Sequence, residues 1–168
     1  ILGAGGYEAS RITAWQDPFS DPTDDGYQII QSLYAIGSGG LFGLGLGNGR
    51  QKYLYLPEEH NDYIFSIACE ELGLAGAVGI LILYSLLILR GYWISMHIRD
   101  RFLSLTVAGI TTLTALQVFF NIGVVTNLLP STGISLPFFS YGGTALLIQL
   151  GEMGIILGAS RQCSAGFL

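Results

Sequence analysis

Glu58, Glu59, His60 and Asp62 crowd the segment LPEEHNDYIF, residues 56–65, immediately before a long apolar run. Pro57 can open a helix at its first turn. Carboxylates in that turn favour the helix dipole, so Glu58 and Glu59 read most simply as N-terminal helix charge. Asp62 lies a turn further in, flanked by Tyr63, Ile64 and Phe65. Partial burial at a water–lipid boundary would disfavour its charged form. A carboxylate so placed can take a proton from a hydroxyl group. His60 has no second histidine at ligand spacing, which gives a metal site little support.

Arg50 and Lys52 stand a little upstream, after a tract with glycine at positions 37, 39, 40, 43, 45, 47 and 49. Two cations beside a membrane suit either a phosphorylated lipid head group or ordinary surface charge. The tract is not a phosphate loop: it has no Gly-x-Gly-x-x-Gly register, no Gly-Lys-Ser/Thr ending and no preceding strand. Alternating Gly and Leu denies it a stable helix. It reads as a close-packed loop, re-entrant or not, that needs protein around it. A second hydroxyl-rich stretch, residues 126–143, carries Ser131, Thr132, Ser135, Ser140 and Tyr141 among Pro130, Gly133, Pro137 and Gly142. Proline and glycine forbid a continuous helix there. Its amides at 141–143 read either as an anion-friendly helix N-terminus or as part of a plain connector.

The elements that must position these residues are apolar. The chain has 168 residues, 51% hydrophobic and 11% charged, with a net charge of −5 and a mean hydropathy of +0.54. Soluble domains carry about 25% charged residues, so the class is an all-α membrane helical bundle. The acidic balance excludes nucleic acid as a partner. Three segments suit spans of roughly 20 residues, namely 64–89, 102–129 and 144–160. Residues 1–6 read as the end of a further span, and residues 7–63 as a large loop. Within that loop, a helix from Tyr27 to Ile36 places Ile29, Ile30, Leu33 and Ile36 on an apolar face, with Gln28, Gln31 and Ser32 elsewhere. Arg90, Arg99, Arg101 and Arg161 mark the cytoplasmic side, which puts 7–63 and 126–143 outside and the C-terminus inside. Glu70, Glu71 and Glu152 lie within spans, where an ionisable side chain is functional or paired. Asn121, Gln117 and Gln149 read as interhelical hydrogen bonders. So few spans with so long a loop suit a piece of a longer membrane protein.

Three blocks carry a resemblance. NIGVVTNLLPSTGISLPFFSYGG, DDGYQIIQSLYAIGSGGLFGLGLG and LPEEHNDYIFSIACEELG resemble, in order and spacing, the SEDS family (shape, elongation, division and sporulation), nearest its FtsW/SpoVE branch and further from RodA. The resemblance implies the C-terminal part of a ten-helix fold with a large extracytoplasmic loop. It implies a peptidoglycan glycosyltransferase that polymerises lipid II at the outer face of the bacterial cytoplasmic membrane, for division or sporulation. Asp62 matches the family's essential aspartate; Asn61 stands where Thr is usual and Tyr63 where Phe is usual. The candidate substrate-binding residues are Gln31, Arg50, Lys52, Glu58 and Ser140. A divalent cation, Mg or Mn, is the one cofactor expected. Lipid II, membrane lipid and a class B penicillin-binding protein are the expected partners. A lipid II transporter and a scaffold for that partner are the alternatives, and the piece by itself is expected to be inactive.

Overall fold

The computed structural model describes residues 12, 15–19, 25–47 and 63–164. Four helices follow in chain order: α1, Asp25–Ser38; α2, Ile64–His97; α3, Arg101–Val125; and α4, Gly143–Ser164. Among the described residues there is no strand. The helices α2, α3 and α4 are each long and apolar enough to cross a membrane. Only 22%, 22% and 17% of their most apolar stretches are buried, so the bundle turns hydrocarbon outward on most sides. A helix that is apolar all round suits lipid or further helices, not water.

α2 and α3 form a tight antiparallel pair. Asp100 caps α3 by accepting the Phe102 amide at 3.0 Å, which satisfies one of the orphan donors of a helix start. Ser95 and Ser104 exchange hydroxyl-to-carbonyl bonds across the pair at 2.9 and 2.8 Å. A side chain on Gly91 would run into Thr111, including its Cγ2 at 2.8 Å, so glycine sets how closely these two helices approach. Such small-residue contacts are how membrane helices gain packing where hydrophobicity gives no preference.

α2 is two helical pieces joined at Gly73, whose φ of 69° and ψ of −169° are non-helical. A break strands carbonyls before it and amides after it, and in lipid each unsatisfied group is costly. The glycine tract fills both sets. The amides of Leu44 and Gly45 donate to Glu70 O and Glu71 O at 3.0 and 3.1 Å. The amides of Leu74 and Ala75 donate to Gly40 O and Leu41 O at 2.9 and 3.1 Å. Backbone meets backbone here. A Cβ on Gly39 would strike Cys69 O, one on Gly43 would strike Glu71 O, and one on Gly73 would lie 2.7 Å from Phe42 C. The tract thus packs backbone against backbone on α2 and depends on that surrounding protein. Gly37 belongs to α1, and Gly49 falls outside the described residues.

α1 buries a different face from the one that apolar spacing suggests. Ile29 and Ile30 are buried, but Leu33 is 36% exposed, while Ser32 and Ala35 are fully enclosed. The Ser32 hydroxyl donates to Ile29 O at 3.0 Å and contacts Val125 O at 3.1 Å. Val125 ends α3, where the last carbonyls lack helical partners. The hydroxyl is therefore drawn inward by an acceptor from a distant helix. α3 itself stops short of Leu129 because Asn127 adopts a left-handed φ of 57°. The Leu128 and Leu129 amides fold back onto Gly123 O at 2.8 and 3.0 Å, a common way to close a helix C-terminus.

Candidate functional site

The start of α2, the end of α3, the start of α4 and α1 gather at one end of the bundle, and the connector of residues 126–142 lies across it. Tyr63, Phe65, Cys69, Tyr84, Val124, Val125 and Leu136 share one buried apolar cluster there. Proline and glycine make the connector irregular, so its backbone groups need partners from outside it. The helices supply them. Asn121 Nδ2 donates to Ile134 O at 2.8 Å. Gln149 Oε1 accepts the Phe138 amide at 2.8 Å. The Tyr84 hydroxyl donates to Pro137 O, and Trp15 Nε1 donates to Asn127 O at 3.1 Å. Asn121 and Gln149 thus tether the connector, where sequence reading makes them helix-to-helix bonds. Tyr84 is absent from the sequence-based candidates, since a tyrosine within an apolar run gives no sign of what its hydroxyl reaches.

Of the expected site residues, Asp62, Arg50, Lys52 and Glu58 lie outside the described residues, as do Glu59 and His60. Gln31 is half-buried on α1, next to the enclosed Ser32. Ser140 is half-buried in the connector. Its hydroxyl oxygen accepts the Leu136 amide at 2.8 Å, and its own amide donates to Leu136 O at 3.1 Å. Ser140 therefore closes the turn that presents Phe138 and Phe139. The two residues sit on separate elements that converge on the α3 terminus, α1 through Ser32 and the connector through Asn121. α4 opens at Gly143, and the Gly142 carbonyl accepts the Leu146 amide at 2.8 Å.

Of the carboxylates within the spans, Glu70 is buried, while Glu71 and Glu152 are half-buried. Glu70 is 1% exposed. Glu71 Oε1 is buried with no hydrogen-bond partner among the described residues. Glu70 and Glu71 stand just before the Gly73 break, and both give their backbone carbonyls to the glycine tract. Among the described residues no group of three His, Cys, Asp or Glu side chains could hold a metal ion.

Comparison with known proteins places this geometry. The family model described as "Cell cycle protein", covering FtsW, RodA and SpoVE, matches residues 2–165. Stage V sporulation protein E of Bacillus subtilis is 52% identical over 92% of this chain and 42% of its own length. A probable peptidoglycan glycosyltransferase FtsW of Geobacter metallireducens is 47% identical over 93% of this chain and 42% of its own. A solved chain from a peptidoglycan synthase complex that coordinates polymerization and crosslinking superposes with a TM-score of 0.72 at 32% identity, covering 92% of this chain and 42% of that one. The Thermus thermophilus rod shape determining protein RodA, solved as an aspartate-to-alanine mutant, gives 0.60 at 35% identity, over 77% of this chain and 39% of that one. The chain thus spans about two fifths of the length of the relatives it matches. Matched along nearly all its residues and folded as these membrane proteins are, the chain belongs to the FtsW/RodA/SpoVE family of cell cycle proteins.

Proposed function

We propose that the chain is the C-terminal part of a peptidoglycan glycosyltransferase that polymerises lipid II at the outer face of the bacterial cytoplasmic membrane. The basic side chains Arg90, Arg99, Arg101 and Arg161 then face the cytoplasm, in keeping with the bias of short cytoplasmic loops. The connector and the loop of residues 7–63 face outward. The observation that carries the reading is at Tyr63. This residue directly follows Asp62 in the chain, is 3% exposed, and shares its apolar cluster with Leu136 of the connector. Tyr63 is thereby held at the end of the bundle where the connector lies. Relatives named as probable peptidoglycan glycosyltransferases support the chemistry.

In that chemistry a sugar hydroxyl of the acceptor attacks the anomeric carbon of the donor. A carbon–oxygen bond forms, the bond to the lipid diphosphate breaks, and the diphosphate leaves with its electron pair. Asp62 takes the hydroxyl proton, since a positioned carboxylate base offsets the weak acidity of a sugar alcohol. Arg50 and Lys52 stabilise negative charge on the departing diphosphate. A single displacement of this kind inverts the anomeric centre. A class B penicillin-binding protein is the partner, a role consistent with the synthase complex that this chain resembles. Division or sporulation is the setting, and the piece acts only with the rest of its helices.

The test uses the full-length protein with its partner and labelled lipid II in detergent. Asp62→Ala is expected to abolish glycan polymer. Undiminished polymer would remove Asp62 as the base. Movement of lipid II across a bilayer without polymer would instead favour transport, a reading with some support in the enclosed Glu70 and the buried Oε1 of Glu71.

A further inference from the structure

A cleft of about 300 Å3 opens between α2, α3 and α4 in the half of the bundle away from the connector. Leu87, Gly91 and Ile94 of α2, Thr114 of α3, and Met153 and Leu157 of α4 line it. The polar atoms at its wall are already used: Thr114 Oγ1 donates to Ile110 O at 3.0 Å, and Thr111 Oγ1 to Val107 O at 2.8 Å. What remains is hydrocarbon. An apolar cavity does not hold water, and left empty its walls forfeit their dispersion contacts. A second apolar lobe of about 310 Å3 shares Leu87 and Met153 with the first and extends toward Phe138. Sharing these two residues, the lobes form one groove between α2 and α4, with α3 in its wall. A lining that is almost wholly hydrocarbon suits a linear alkyl chain.

A cation borders the first lobe, whose own wall is almost wholly apolar. Arg90 contributes to its wall and carries its guanidinium 4.2 Å from the centre of the Trp93 ring. Trp93 in turn stacks on His97 at 4.2 Å. An arginine commonly lays its stem on apolar surface and keeps its head at the interface. Among the described residues the other charges at this end are Arg99, Arg101, Arg161 and Asp100, and the Asp100 carboxylate caps α3. The balance is cationic.

We infer that this groove is a binding site for an anionic glycerophospholipid, with one acyl chain between α2 and α4 and the phosphate on Arg90 beside Trp93. The occupant is set by its two ends: a hydrocarbon slot admits the chain, and a cation at the slot's mouth selects the negative head group. The head-group end at Arg90 lies away from the connector, whereas the second lobe reaches the connector's Phe138 and Phe139; the lining of the groove carries the inference, which does not rest on the polymerising reading.

The full-length protein, reconstituted in nanodiscs with equal phosphatidylglycerol and phosphatidylcholine, would be released into the gas phase for native mass spectrometry. Wild type is expected to retain phosphatidylglycerol over phosphatidylcholine. Arg90→Gln should cut that preference about fivefold, the effect of one basic side chain near an anionic surface. Arg90→Lys should restore most of it. Leu157→Trp, which fills the mouth from an exposed position, should remove the retained lipid. Arg161→Gln, outside the groove lining, should change the preference less than twofold. Equal retention of both lipids by wild type, an Arg90→Gln loss no larger than that of Arg161→Gln, or unchanged retention in Leu157→Trp would each overturn the inference. So would displacement of the retained phosphatidylglycerol by added lipid II, which would make the groove a substrate site.

Discussion

An alanine at position 73 would test the joint between the glycine tract and α2. Gly73 holds φ 69° and ψ −169°, a region that side-chain-bearing residues occupy at a cost of about 1–3 kcal/mol. Its Cβ would also press on the backbone of Gly43, Phe42 and Leu41, with carbons 2.7 and 2.8 Å away at the last two. These are main-chain atoms and cannot rotate aside as a flexible side chain does. Relief requires the tract to part from the helix, and four crossing bonds depend on that contact, those of Leu44, Gly45, Leu74 and Ala75. With each bond contributing about 1 kcal/mol and some lost outright, Gly73→Ala should cost about 3–6 kcal/mol in all. The control is Gly79→Ala, in the same helix with nothing within 4 Å of its added Cβ. That change should be neutral or stabilising by up to about 1 kcal/mol. Reversible unfolding of the full-length protein in mixed detergent and dodecyl sulfate micelles gives both values. A Gly73→Ala protein within about 1 kcal/mol of wild type would refute the argument that the break and the tract form one rigid joint.

Asn121→Leu leaves Ile134 O without its donor, and an unsatisfied buried carbonyl should cost about 1–3 kcal/mol in the same unfolding assay. Tyr84→Phe removes the bond to Pro137 O while keeping the ring, and should cost about 1 kcal/mol. Orientation is open to thiol labelling of whole cells: a cysteine at Leu128, 72% exposed, should react with an impermeant maleimide from outside. A cysteine at Arg99, on the α2–α3 turn, should react only after the membrane is opened. The reverse pattern would turn the molecule over and place the basic end outside. Native Cys69, 5% exposed, should stay unlabelled in the folded protein in either case.

Hydropathy alone marks α2, α3 and α4, because a stretch of apolar residues long enough to span hydrocarbon has few other folded forms. The irregular connector was equally legible, since Pro130, Pro137 and the glycines around them exclude a helix whatever surrounds them. Its apolar and aromatic flank set Asp62 apart from Glu58 and Glu59, and family likeness along three blocks matched it to an essential aspartate, but it lies outside the described residues. Other features depended on meetings between remote segments. Ser32 turns inward and Leu33 outward because Val125, far along the chain, ends a helix and offers an unpaired carbonyl. Asn121 and Gln149 reach the connector rather than a neighbouring helix because its backbone is the unsatisfied partner nearby. The interruption of α2 at Gly73 carries no signal in its own apolar surroundings, and it persists because the glycine tract supplies the groups that the break leaves bare. Apolar length is a property of a segment and is read in place. The pairing of orphaned amides and carbonyls is a property of which segments meet, and only the folded molecule decides that.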